Sequence, residues 1–367
     1  MSLARKIILI AGLSLILAGV TFMIIKSEMG ANEAILPSSE DSATTTNEDG
    51  CAVDQISAGL DHYLVLKDDG TVWAWGDNSE GQLGTSNLLS QANPTQITPL
   101  KNIKLIDAGN KFSLALSSEG TLWVWGQNAS GNIEGEEKKY LTPVKINITD
   151  VVDAAVGETF TLAVKGDGSV WILGKYDGNG SSVLREILGL TNIKAVSANS
   201  TPLFLTNSGE VWEWKPGTTV KKIQGLSDVA YIEGANDEVS LAVKSDKTVW
   251  GWGRNSFGEL ALAEKDFATD IPVQIKGLDG VTKISVGANF ISALTSDNSV
   301  LAWGISDFKN NDKSITTPTK LDYAGEVRDI DAGPQGLICI KTDDTIWTNS
   351  VLQNNPRQAK FTQENCQ

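Results

Sequence analysis

Histidine is almost absent from this chain: one residue in 367. A His-rich metal centre, or a Ser-His-Asp triad with a second His role, is hard to build from that supply. Cysteine is scarce, three residues, and no Cys-x-x-Cys pair occurs. The P-loop, the Rossmann glycine fingerprint and Gly-x-Ser-x-Gly are missing. Positive charge is short, 30 Lys and Arg against 45 Asp and Glu, for a net charge of −15. That balance disfavours nucleic acid and anionic lipid headgroups as partners. Asp-rich turns such as Lys67-Asp68-Asp69-Gly70 lack the alternating ligands and distant Glu of a calcium loop. No motif singles out a carboxylate pair for glycosidase work. The sequence calls for no cofactor, no metal and no catalytic residue, and the chain reads as a non-enzyme.

Long apolar runs are missing as well, with one exception. Arg5 and Lys6 precede an uncharged run from Ile7 to Ile25. As a helix it reaches roughly 28 Å, the hydrocarbon thickness of a bilayer. Residues 1–26 are expected to form an uncleaved signal anchor, with the N-terminus cytoplasmic and the rest of the chain outside. A cleaved signal peptide and secretion is the alternative, although no small-x-small site follows Ile25. Residues 27–50, rich in Ser, Thr, Asn, Glu and Asp, read as a flexible tether.

What the chain has in surplus is tryptophan, 11 residues, and glycine, 35. All 11 Trp fall in seven matching strands: VWAWG from Val72, LWVWG from Leu122, VWILG from Val170, VWEWK from Val211, VWGWG from Val249, VLAWG from Val300 and IWTN from Ile346. Before each lies a second apolar strand (YLVL, SLAL, TLAV, PLFL, SLAV, ISAL, LICI), joined by turns such as KDDGT or SSEGT. Such turns favour β-hairpins because their residues tolerate positive φ. Fourteen residues before the first Trp position a Gly recurs, at 59, 109, 157, 287 and 333, with Ala198 and Asn236 in the other two repeats. A further short strand precedes it. After the Trp strand comes an outer strand at Pro94–Ile97, Pro143–Ile146, Pro272–Ile275 and Pro318–Leu321, where Pro suits a sheet edge. Seven units of about four strands predict an all-β, seven-bladed propeller over residues 51–367. Alternation of bulky and small side chains predicts nested blades, with the Trp as packing residues and carbohydrate stacking as the weaker reading.

The first repeat carries Ala58, Gly59, His62, Leu64, Asp69, Gly70, Val72, Trp73, Trp75, Gly76, Asn78, Gly81, Gln82, Leu83 and Gly84. This series resembles the regulator of chromosome condensation repeat family, in the form of a bacterial, membrane-anchored or secreted member. The resemblance covers residues 51 to about 362 and implies a seven-bladed propeller. Only the first repeat keeps Gly-Gln-Leu-Gly; the third and fourth lose that segment.

Function is then expected on face loops. The turns after the recurring Gly carry Asp61, His62, Lys111, Phe112, Glu158, Phe160, Asp237, Glu238, Asn289 and Phe290. Aromatic anchors within a polar rim suit a protein-binding patch, although the aromatic position could instead pack under its turn. The loops after the Trp strands are long in repeats one (77–93), two (127–142), five (254–271) and six (305–317), and carry Phe257, Phe267 and Phe308. An unknown extracytoplasmic protein, or a glycan, is the expected partner, with the membrane reached through the N-terminal helix. The alternative is an enzyme inhibitor, similar to secreted propellers of this family that inhibit β-lactamase. Guanine-nucleotide exchange and a polysaccharide-acting enzyme are remote. Cys51 and Cys366 flank the repeats, so a closed ring predicts a disulfide between them, worth roughly 4–5 kcal/mol; Cys339 reads as a buried small hydrophobe.

Overall fold

In the computed structural model the described residues are 52–349 and 357–359, apart from 177–178, 235–238, 263–267, 288–289, 305–314, 322–325 and 335. The expected anchor and tether (1–50) and both Cys51 and Cys366 lie outside them. Among the described residues no helix is long and apolar enough to cross a membrane.

The strands assemble into seven four-stranded antiparallel sheets. Each sheet takes its four strands from one repeat, in chain order, so among the described residues no strand is exchanged between the first and last blades. The innermost strands are Val53–Ala58, Ile103–Ala108, Val151–Val156, Ile193–Ser197, Val229–Gly234, Val281–Val286 and Val327–Gly333. Every one shifts register against its neighbour near its start, as between Val53 and Gln55 or Ile103 and Leu105. Such bulges add twist, which suits blades that fan outward from an axis. The outer strands begin earlier than expected: Gln91–Gln96, Lys139–Lys145 and Thr269–Gln274 each hold their Pro in mid-strand. The third repeat converts its missing loop into a longer hairpin, Val170–Tyr176 with Asn179–Glu186.

The apolar core is divided among the seams. Leu64, Leu66, Val72 and Ala74 of the first blade pack with Ile106, Ala115 and Trp125 of the second. Corresponding clusters join each later pair of blades. The last seam brings Ile338, Ile340 and Ile346 against Val65, Trp73 and Trp75. The expected nesting of bulky and small faces is what the clusters show.

The two Trp positions do different work. The first lies over the hairpin turn. Asp69 accepts from the Thr71 amide (2.8 Å) and hydroxyl (2.6 Å), and Thr71 accepts from Trp73 Nε1 at 3.2 Å. Lys67 lies 4.3 Å over the same ring. This relay repeats at Asp167-Ser169-Trp171, Asp246-Thr248-Trp250 and Asp343-Thr345-Trp347. The second Trp is buried in a seam, and its indole N–H needs an acceptor there. Trp125 Nε1 finds the Gln82 carbonyl (2.8 Å), and Trp303 finds the Glu259 carbonyl (2.7 Å). The Gly-Gln-Leu-Gly segment therefore tucks its backbone into the next blade. Asn78 holds it there, accepting from the Leu83 amide at 2.9 Å, as Asn128 and Asn255 do for Ile133 and Leu260. The fourth blade lacks the segment, and Glu213 supplies the acceptor for Trp252 from its side chain, at 2.9 Å.

Candidate functional site

Antiparallel order places the turns after the recurring Gly and the loops after the Trp strands at the same end of every blade. Asp61 and Asp77 meet there, the Asp77 amide donating to the Asp61 carbonyl at 2.7 Å.

The aromatic residues of the turns point inward. His62, Phe112, Phe160 and Phe290 are all buried. Each fills the space under its own turn that a Cβ on the recurring glycine would take. A Cβ on Gly157 would lie 2.4 Å from Phe160 Cζ and 2.4 Å from the Ala198 carbonyl of the next blade. The glycines thus approach the carbonyl of the equivalent turn beside them, as Gly333 does at Gly59. Of the two readings of this position, binding anchor or residue packed under its turn, the burial of these four favours packing under the turn. Burial holds His62 down to about 4, with Asp77 opposing; its Nε2 meets Ser113 Oγ at 2.9 Å. The exposed chemistry at these turns is Asp61 and Glu158, with Lys111 half-buried. Asp237, Glu238 and Asn289 lie outside the described residues.

Of the long-loop residues, Phe257 is half-buried, its ring 5.3 Å from the Arg254 guanidinium. Phe267 and Phe308 lie outside the described residues. The first loop carries a feature that the sequence reading missed. Asn78, fully buried, donates to the carbonyls of Asn87 (2.9 Å) and Leu89 (3.2 Å). Asp77 accepts from Ser79 Oγ at 2.7 Å and Gln82 Nε2 at 2.8 Å. Burial opposes the charge on Asp77, but these bonds prevail and hold its carboxyl below the usual range. The loop is tied to the second blade by Lys139–Glu80 at 3.1 Å and by the Ser86 amide on the Leu141 carbonyl at 2.9 Å. On this braced segment Leu88 is 46 % and Leu89 68 % exposed. Two adjacent leucines in a polar loop gave no periodic signal, so only the fold reveals them as presented.

The turns surround the mouth of an axial cavity of about 330 Å³, lined by the innermost strands of all seven blades. Among the described residues, side chains on these strands staple six of the seven seams, all but the one between the fifth and sixth blades. Ser57 accepts from the Ala108 amide (3.0 Å), Asp107 from Val156 (2.8 Å), Asp153 from Val196 (2.9 Å), Ser197 from Gly234 (2.9 Å) and Ser285 from Ala332 (2.8 Å). Asp331 closes the ring by accepting from Ala58 at 2.7 Å. Arg328 of the last blade also donates to the Val53 carbonyl of the first. Among the described residues no group of His, Cys, Asp or Glu is arranged to hold a metal ion.

Comparison with known proteins agrees with this architecture. Residues 53–82 and 103–132, and residues 69–116 and 246–294, match descriptions of the regulator of chromosome condensation (RCC1) repeat. The ultraviolet-B receptor UVR8 of Arabidopsis thaliana is 26 % identical over 264 residues, 70 % of this chain and 53 % of the receptor. The human E3 ubiquitin-protein ligase HERC2 is 26 % identical over 190 residues, 45 % of this chain but 4 % of the ligase. The chain thus spans only part of these relatives. Among solved structures, yeast RCC1 (Prp20) bound to Kap60 superposes with a TM-score of 0.68 at 17 % identity, over 91 % of both chains. Human WBSCR16 gives 0.66 at 18 % identity, over 77 % of this chain and 84 % of that one. At these identities the structures speak for the fold alone.

Proposed function

We propose that this seven-bladed propeller of RCC1 repeats is a non-catalytic protein-binding module whose partner docks on the turn-and-loop face. The observation that carries the reading is the braced first loop, which presents Leu88 and Leu89 at the same end of the first blade as the exposed Asp61. Apolar side chains held rigid within a polar rim lose little entropy on docking. Prp20p of Saccharomyces cerevisiae, a propeller of similar fold, has binding properties to Gsp1p and histones, and UVR8 is an ultraviolet-B receptor; both support a binding role for such a propeller.

The proposal includes a tether. The uncharged run from Ile7 to Ile25 behind Arg5 and Lys6 supports a membrane anchor with the propeller outside the cytoplasm. The same setting supports the Cys51–Cys366 disulfide as a covalent clasp on a ring that, among the described residues, exchanges no strand. Capture from an envelope fraction by the full chain, against a Leu88→Ser/Leu89→Ser variant of unchanged melting temperature, tests the binding reading. A partner retained equally by both refutes this face patch. Accessibility of the propeller to external protease tests the tether.

A further inference from the structure

Five carboxyl groups line the axial cavity: Asp107 of the second blade, Asp153 and the exposed Glu158 of the third, Glu233 of the fifth and Asp331 of the last. Three of them, Asp107, Glu233 and Asp331, act on one another across the axis. Two of these three are built into seams. Asp107 receives the Val156 amide, and Asp331 receives both the Ala58 amide and the Ser285 hydroxyl, the latter at 2.7 Å. Among the described residues Glu233 receives the Tyr231 hydroxyl of its own strand, at 2.6 Å. Asp153 accepts from Val196, and the neighbouring strands add the pair Lys283–Asp329 at 2.6 Å. The innermost strands of the first and fourth blades turn only uncharged groups to the cavity, among them Gln55, Ser57, Ala195 and Ser197. Lys283 is therefore the one cation lining the cavity among the described residues, and Asp329 already holds it.

We propose that these axial carboxyl groups form a pH-sensitive latch on ring closure, tighter in mildly acidic solution and loosened progressively as the pH rises into the alkaline range. The seam that yields is the one between the last and first blades. It joins the two blades farthest apart in the chain, and its axial acceptor, Asp331, faces both Glu233 and Asp107. Burial lifts Glu233 to about 8, with Asp331 and Asp107 adding to the shift against the Tyr231 bond. Burial lifts Asp107 to about 7, opposed by the Val156 amide, and Asp153 to about 6, opposed by the Val196 amide. Burial also raises Asp329 against the pull of Lys283. Burial works against the charge on Lys283, but Asp329 and Asp331 outweigh it and hold its pKa above the ordinary value. Tyr231 is raised well above its ordinary value, by burial first and by Glu233 second, so its hydroxyl keeps its proton. Each raised carboxyl binds a proton in the folded state after the unfolded chain has released its own. Stability therefore falls as pH rises from the ordinary carboxylate range to about 8, and the charge that Glu233 and Asp107 add in that interval repels Asp331.

The test is a thermal melt of the full chain at pH 6 and pH 9. The wild type should melt lower at pH 9 by at least about 3 °C. Glu233→Gln and Asp107→Asn should each lose a large part of that difference, while Asp54→Asn, exposed on the first innermost strand, should keep it all. If all four proteins share one pH profile, the latch is refuted. Should the axial variants fail to fold, carbon-13 titration of the Glu side chains in the wild type decides. A Glu carboxyl titrating near 8 supports the latch, and titration of every one near 4 overturns it. Amide exchange, normalised for intrinsic rate, locates the opening. Protection of Val53–Ala58 should fall at pH 9 more than that of Ile193–Ser197, and equal loss in both refutes the seam assignment.

Discussion

The seam between the first two blades and the seam between the fourth and fifth meet one requirement by different routes. Each buries a Trp whose indole N–H must find an acceptor. At the first the acceptor is the Gln82 carbonyl, delivered by a loop that Asn78 braces. At the second it is the Glu213 carboxylate, which also accepts from Ser240 at 3.4 Å and lies 3.6 Å from Lys215. A backbone acceptor survives most substitutions at its own position, whereas a side-chain acceptor does not. The repeat that abandoned the loop therefore concentrated its seam on one residue.

Glu213→Ala should break this contrast most severely. It strands the Trp252 N–H in a closed seam and should cost roughly 2–4 kcal/mol, read as a fall in melting temperature. Gly157→Ala sharpens the contrast at the axis. The Ala198 position tolerates a Cβ, but Gly157 has the Ala198 carbonyl and Phe160 in the way; a loss of about 2–3 kcal/mol in chemical unfolding is expected. His62→Phe substitutes the residue found in three sibling turns. The folded pKa of His62 lies near 4, below the ordinary value, so the unfolded chain takes up the proton first and stability is lost as pH falls from about 6.5 to 4. The variant should flatten that acid limb by roughly 2 kcal/mol, seen in melts at pH 4.5 and pH 7. Gln82→Ala should be mildest, about 1 kcal/mol, because the carbonyl remains and only the side-chain bonds to Asp77 and the Glu80 amide go. If Gln82→Ala costs as much as Glu213→Ala, the distinction between the two seams fails.

The blade count was legible because hairpin chemistry is local. The Asp-x-Thr/Ser turn, the Lys over the first Trp and the alternation along each strand all act within about ten residues. The recurring glycine was legible as a signal but not as a cause, since the carbonyl it approaches belongs to the next blade, more than 40 residues away. The same separation left the turn aromatics open between a binding anchor and a packing residue. A Phe or His beside a Gly in a polar turn looks exposed until the turn is seen to fold over it. Leu88 and Leu89 were missed for the opposite reason. Nothing in their spacing marks them, and their exposure follows from the hydrogen bonds Asn78 makes across the loop.

By itself, then, the sequence determined the repeat number, the four-strand unit and the placement of every Trp in a blade. Those features depend on turns and side-chain alternation that neighbouring residues enforce. Tertiary structure alone decided which Trp seals a seam, what accepts its proton, which way the turn aromatics point and which carboxyl groups share the axis. Those outcomes depend on contacts between blades, and residues so far apart in the chain are brought within hydrogen-bonding distance only when the ring closes.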